Sequence, residues 1–415
     1  MDSPCLRAAA LALVLCGALA GCGKALSPQA VEHGSGPVAA VGAQGAGGLS
    51  TKNTTRLGGS VSEIDAAAVA VAVYPGLTPA TRAQAVVLVD SRDWPAALAA
   101  SVLAGAPLHA PLLYSDGGTL PEVSGQALGV TAPTGTAALG PTATGASGRA
   151  QVIQIGATAT PSGYVTRSVT AKDSAALAVE IERLSSLLHH HAPRQLIVTA
   201  ADGPPAMTMP AAGLSAQTGA PILFVERLAI PKATAAELRR LRKISIYLVG
   251  PSTVVSDSVA KDLNRYGTVT RIGDSTPATN AIAVARFTDG VFGWGVIEPG
   301  HGLVFANASR PLDGPAAAPL SATGDYGPLL LVESPDRLPL ALSSYLSDLQ
   351  PGSPSSGPVH GVYNHGWLIG DEDAISATTQ ASLDERLEIS PRPAAEAPIA
   401  SPTTPTSEPT QTTGP

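Results

Sequence analysis

The sequence predicts an α/β protein built from three tandem α/β/α modules with parallel sheets in a pseudo-threefold arrangement. Three observations carry this. An apolar, strand-like run ends in glycine three times, at Val152-Ile153-Gln154-Ile155-Gly156, Ile246-Tyr247-Leu248-Val249-Gly250 and Trp367-Leu368-Ile369-Gly370, a repetition of whole domains rather than a solenoid. The same order of elements recurs before each of these runs. The strands are continuously apolar and alternate with helices, which requires a parallel sheet covered on both faces.

Each round opens with an Ala-rich helix, over Glu63 to Val73, Ser174 to Leu188 and Thr279 to Phe287. In the second, Ala178, Ile181, Leu184 and Leu188 fall at helical spacing and form one apolar face. A strand follows at 85–89, 195–199 and 302–306. Next comes a turn and a small-residue helix, clearest in Trp94-Pro95-Ala96-Ala97-Leu98-Ala99-Ala100, with counterparts from Pro204 and from Pro311. A second strand begins after Pro111, Pro221 and Pro328; proline is tolerated there because the first residue need not donate to the ladder. A further helix is clearest from Lys232 to Arg242, and the glycine-ended strand closes the round. The stretch from Glu122 to Arg149 is rich in Gly, Thr and Pro and shows no clear pattern.

The two ends read differently. All three cysteines, Cys5, Cys16 and Cys22, lie in the first 22 residues. Arg7 precedes an apolar run, Ala8 to Ala18, too short to span a bilayer. Leu19-Ala20-Gly21-Cys22 resembles a bacterial lipobox, so Cys22 is the expected lipidation site. Two acyl chains, at about 0.8 kcal/mol per buried CH₂, give lasting membrane anchorage. Ordinary secretion after Ala18-Leu19-Ala20 is the blander alternative, but it would leave Cys22 a free thiol in an oxidising compartment. Residues 23–55 read as a flexible Gly/Ala/Ser tether with a reach on the order of 30 Å. Residues 390–415 read as a disordered Pro/Thr/Ser-rich tail. The expected organisation is a lipoprotein signal peptide 1–22, tether 23–55, modules 56–160, 161–270 and 271–389, and tail 390–415.

Composition narrows the function. The chain of 415 residues is 44% hydrophobic, 14% charged and 4% aromatic, with formal charge −7. That balance, with no run of Lys or Arg, argues against a nucleic-acid partner. The sequence contains no HExxH, no Gly-x-x-x-x-Gly-Lys-Ser/Thr and no Gly-x-Ser-x-Gly. No catalytic residue, metal ligand or cofactor is therefore expected. His189-His190-His191 reads as a solvated helix end, and Gly290 to Gly295 as a loop after a helix. Asp371-Glu372-Asp373 reads as an acidic approach to the helix that follows. Asp90 and Asp93 stand at a strand's carboxyl end, where open α/β sheets place ligands, although capping the next helix explains them equally well.

The order Arg-hydrophobic-Gly, Ala-rich helix, strand, Pro-Ala-Ala-Leu-Ala-Ala, Ala-Pro-strand and hydrophobic-Gly resembles the type 2 cell-wall-binding repeat. The matching residues are Arg56-Leu57-Gly58-Gly59, Trp94 to Ala100, Ala220 to Val225, Val249 to Ser256 and Arg271-Ile272-Gly273. The resemblance implies a noncovalent anchor of three modules packed as a pseudo-threefold triangle and binding anionic wall polymer. This chain departs from it where the family carries Asp-Arg-Tyr-x-Thr-Ala, having Val61 to Ala66 and Thr276 to Ala281 instead. Trp94 to Leu98 also lacks the aspartate of the family's Phe-Pro-Asp-Ala-Leu, for which Asp313 is a stand-in in the third round. Arg56 and Arg271 open their rounds at matching places, where a guanidinium can grip a phosphate or carboxylate bidentately or form an inter-module salt bridge. Arg167 is the nearest counterpart in the second. The polymer-binding candidates are thus Arg56, Asp90, Asp93, Arg271 and Asp313. The expected protein is a lipid-anchored, non-catalytic binder on the outer face of the cell membrane, its partner an anionic wall polymer or an envelope protein. A scaffold that has lost polymer binding, or a hydrolase with an unrecognised site, are the rival readings.

Overall fold

The computed structural model describes residues 50–140, 148–323, 326–353 and 363–391. Cys22, expected as the lipidation site, and the segments read as signal peptide, as tether up to residue 49 and as tail from residue 392 lie outside the described residues. The chain runs through β1 (Thr54–Leu57), α1 (Ser62–Val73), β2 (Val86–Asp90), α2 (Trp94–Ala100), β3 (Leu112–Ser115), α3 (Glu122–Thr131), β4 (Val152–Ile155) and β5 (Thr166–Val169). It continues through α4 (Ser174–His189), β6 (Gln195–Ala200), α5 (Pro210–Thr218), β7 (Ile222–Val225), α6 (Lys232–Leu241), β8 (Ile244–Val249), α7 (Asp257–Leu263) and β9 (Gly267–Ile272). The last round comprises α8 (Pro277–Arg286), β10 (Gly302–Asn307), α9 (Asp313–Ala322), β11 (Tyr326–Val332), α10 (Leu340–Asp348), β12 (Gly352–Ser353), β13 (His365–Ile369), α11 (Ala377–Leu387) and β14 (Ser390–Pro391).

Three four-stranded parallel sheets result, ordered β3-β2-β4-β5, β7-β6-β8-β9 and β11-β10-β13-β1. They are the same sheet three times, in the pseudo-threefold α/β/α arrangement expected from the sequence. One feature differs from the sequence reading. Each round begins with a strand, not a helix, and that strand (β1, β5 or β9) completes the sheet of the round before. The first of them, β1, closes on the last sheet through β13, pairing Arg56 with Leu368 and Leu57 with Ile369. The unpatterned stretch after Glu122 folds as α3.

Burial on both faces explains the apolar strands. In β2, Val87 and Val89 join one core with the alanines of α2, while Val86 and Leu88 join another with Val123, Ala127 and Leu128 of α3. In β10, Leu303 and Phe305 face one core, Val304 and Ala306 the other. Each such Val, Leu or Phe side chain contributes about 1.5–3 kcal/mol on leaving water. Helix starts are set locally: the side chains of Asp93, Asp173, Ser256, Thr276 and Ser376 accept backbone N–H bonds in the first turns that follow, relieving otherwise unpaired donors.

The small-residue helices meet each other around the pseudo-threefold axis: α2 with its extension Ser101–Ala104, then α5, then α9. Ala, Gly and Pro allow this closeness. A Cβ on Gly105 would lie 1.9 Å from the Ala216 carbonyl oxygen, and one on Gly213 would lie 2.5 Å from Ser321 Oγ. The linking helices tie neighbours together. α1 leaves β1 of the third sheet and packs on β3 and α3 of the first; α4 and α8 repeat this step around the ring. Among the described residues, no helix is long and apolar enough to cross a membrane.

Candidate functional site

Because all strands in a sheet are parallel, their carboxyl ends gather at one edge. Strand order reverses there between β2 and β4, β6 and β8, and β10 and β13, which places a crevice at that edge. The candidate residues of the sequence all stand along these three crevices.

The third crevice is a closed charge cluster. Arg310, beyond β10, bonds the Asp65 carboxylate, and its Nε lies 2.9 Å from Asp313 Oδ2; its Nη1 lies 3.8 Å from Asp371 Oδ1. Gly59 N–H donates to Asp65 Oδ1 at 2.7 Å, and Ser62 Oγ donates to Asp313 Oδ1 at 2.8 Å. Asp65 and Asp313 are wholly buried. Burial, reinforced by the neighbouring Asp313 carboxylate, holds Asp65 well above the usual carboxylate range, and burial raises Asp313 against the pull of Arg310. Low dielectric makes two adjacent anions costly. The cluster fastens the start of α1 to α9.

Beside it lies Arg56 on β1, 2% exposed. Its five N–H groups meet five acceptor contacts: Nε and Nη2 on Gln380 Oε1 (3.3 and 2.9 Å), Nη1 on the Gly370 and Asp371 carbonyls (3.0 and 2.6 Å), and Nη2 on the Ile375 carbonyl (2.6 Å). Burial lowers its pKa, against Glu372 and Asp371, which raise it. A guanidinium so placed stitches β1 to the turn after β13.

Arg271 holds the same register on β9, opposite Leu248, two residues before Gly250. It donates to the Gly250 carbonyl at 2.9 Å and to Asp257 Oδ1 at 3.1 Å, and its side chain is 25% exposed. In the first sheet the register assigns this place to Ser168, opposite Gln154, two residues before Gly156. Arg167, the counterpart expected from the sequence, is one residue early and therefore turns to the other face. Ser168 Oγ donates to Gln154 Oε1 at 2.9 Å instead.

The helix position that holds Asp65 varies with it. Asn280 occupies it in the second crevice, where its Oδ1 accepts from Asp274 N–H at 3.2 Å, the bond that Asp65 takes from Gly59. In the first crevice the same count reaches Leu177, 3.9 Å from where a Cβ on Gly156 would stand. Asp90 and Asp93 sit beyond β2. Asp90 accepts from Arg92 N–H, Nε and Nη2 at 3.0, 3.0 and 2.9 Å, and these bonds lower its pKa. Asp93 Oδ1 caps α2 through Ala96 N–H at 3.0 Å. Sequence reasoning missed Arg310 and Asp65 because they meet across the ring. Among the described residues, no group of three or more His, Cys, Asp or Glu is arranged to hold a metal ion.

The fold defines a class: a closed ring of three doubly wound α/β modules with polar carboxyl edges, the third of them buried. No protein-family model and no curated protein matches the chain. Two solved structures that share its fold are Cwp8 and Cwp6 from Clostridium difficile. Cwp8 is 17% identical with TM-score 0.60, over 81% of this chain and 52% of its own. Cwp6 is 16% identical with TM-score 0.60, over 80% and 48%. The chain thus spans about half the length of either, and the likeness is one of fold.

Proposed function

We propose that this chain is a cell-envelope protein, lipid-anchored at Cys22 on the outer face of the membrane, that holds noncovalently to an anionic wall polymer through its modules (56–160, 161–270 and 271–389) and catalyses no reaction. The observation that carries this reading is the complete three-module ring, similar in fold to Cwp8 and Cwp6 over four-fifths of the chain. The residue-level resemblance to the type 2 cell-wall-binding repeat points the same way. Among the sequence candidates, Arg56 and Asp313 hold the ring together from within. Asp90 lies under Arg92, and Asp93 caps a helix. Arg271 is the one whose guanidinium is partly open to solvent, and it is the carboxyl-edge contact we assign to the polymer.

The test is sedimentation of the purified full chain with isolated bacterial walls, before and after acid extraction of their anionic polymer. Retention that falls with salt and with extraction is expected. A chain that stays in the supernatant over intact walls at low salt would sink the reading. Retention indifferent to extraction would transfer the role to a protein partner.

A further inference from the structure

The opposite edge of the second sheet, where its strands begin, carries charge of the other sign. Between α6 and β8 the chain turns through Arg242 and Lys243, both exposed and both at positive φ (50° and 48°). Arg239 is exposed on the last turn of α6, and Arg265 and Tyr266 immediately precede β9. Together with buried Leu238 they line an open groove of about 640 Å³. Arg194, at the start of β6, extends the row: its carbonyl accepts from Ser245 N–H at 3.2 Å.

Most of these cations are unspent, and they stand side by side. Arg265 is paired with exposed Asp262 at 2.9 Å. Arg239, Arg242 and Lys243 make no ion pair with any described residue. Their neighbour Arg240 is bonded to Glu182 and Glu237, as Arg183 is to Glu180 and Glu237. The connections in the same place elsewhere are poorer in cations among their described residues: Ala132-Pro133 follows α3 and Leu349-Gln350-Pro351 follows α10, and Arg149, before β4, is occupied with the Gly135 carbonyl at 3.0 Å. Positive φ costs a side-chain-bearing residue, and glycine would adopt it more readily. The chain nevertheless places arginine and lysine there, in a body of net charge −7. Such a local inversion of charge attracts a polyanion and would be pointless for packing.

We propose that this groove is the principal seat of the polymer, and that the ligand is a linear glycan or polyol chain bearing repeated phosphate groups. The inference rests on the reading of the chain as a wall-polymer binder and adds the place. Arg239, Arg242 and Lys243 would meet successive anions, with charge-assisted bonds from the two guanidinium forks. Tyr266 and Leu238 offer an apolar floor for the links between them.

The test uses the full chain and poly(glycerol phosphate) as probe, with glycerol phosphate monomer and phosphatidylglycerol vesicles as separate arms. The Arg239→Gln, Arg242→Gln, Lys243→Gln triple variant should weaken polymer binding about tenfold near 0.15 M salt, three screened contacts together. An equal-charge control, Arg82→Gln, Lys172→Gln, Arg337→Gln, should change it less than twofold. The Arg242→Gly, Lys243→Gly variant accepts positive φ without strain, so weakening there cannot be ascribed to misfolding. Triple-variant binding equal to wild type, while wild-type chain is still retained on walls, overturns the groove and leaves the proposed function standing. Wild-type chain retained by neither walls nor polymer overturns both. Groove-dependent binding to vesicles but not to polymer overturns the ligand assignment.

Discussion

One position, read three times, shows how much a residue's role depends on what surrounds it. Arg56, Ser168 and Arg271 share a register, yet only Arg56 is buried with every donor engaged. Arg56→Ala would strand three carbonyls and the Gln380 oxygen away from water. We expect a loss of about 3 kcal/mol or more, measurable by urea denaturation. Arg56→Lys should recover little of it, since an ammonium cannot reproduce five directed bonds. Arg271→Ala, with a quarter of its side chain in solvent and two partners, should cost under about 1 kcal/mol. A stable Arg56→Ala chain would contradict the structural role drawn for that guanidinium.

At the scale of elements, α4 and α6 are joined by a four-membered network. Glu182 and Glu237 are buried, and Arg183 and Arg240 reach them from the surface; Ser186 and Glu180 complete the surroundings. Burial pushes Glu182 up to about 7. Glu237 is buried too, but bonds from Glu182, Arg240 and Arg183 outweigh that and lower it. The folded chain therefore keeps a proton on Glu182 that the unfolded chain has released. That stabilisation is complete below about pH 4.5 and drains away as pH rises through 7; Glu237 acts oppositely, its contribution lost on acidification below about 4.5. Glu182→Gln should accordingly flatten the fall in Tm between pH 5 and 7.5, and an unchanged pH profile would refute the assignment. This network was invisible to sequence reading, since helical spacing locates Glu182 on α4 but not the arginine that faces it. Most elements were legible because their burial imposes a pattern: Val86 to Val89 and Leu303 to Ala306 are apolar on both faces. The strands β1, β5 and β9 were not, because edge strands such as Thr166-Arg167-Ser168-Val169 alternate with polar residues and pass for loops. Of the candidate site, Asp93 was readable as a cap. The partners of Arg56 were not, nor was Ser62, which donates to Asp313, because they are supplied by distant parts of the chain.

For the whole molecule, the controlling feature is that β1 completes the last sheet. Thr51, Lys52 and Asn53 add bonds to Asp384 and Glu388 beyond it. Removing residues up to 58 would expose the edge of β13, an open template for pairing with another chain. We expect such a chain to melt in two transitions, the third module first, and to self-associate on size-exclusion chromatography; a single unshifted transition would show that β1 is dispensable. The same closure sets the order in which the protein can be finished. Arg56 is made early, and its carbonyl partner on Gly370 stands 314 positions later. A contact so distant is slow to find and is formed only after the intervening chain exists. β1 therefore waits for β13 to be made, and a chain cut short before His365 would yield a product whose first strand lacks its partner in the sheet.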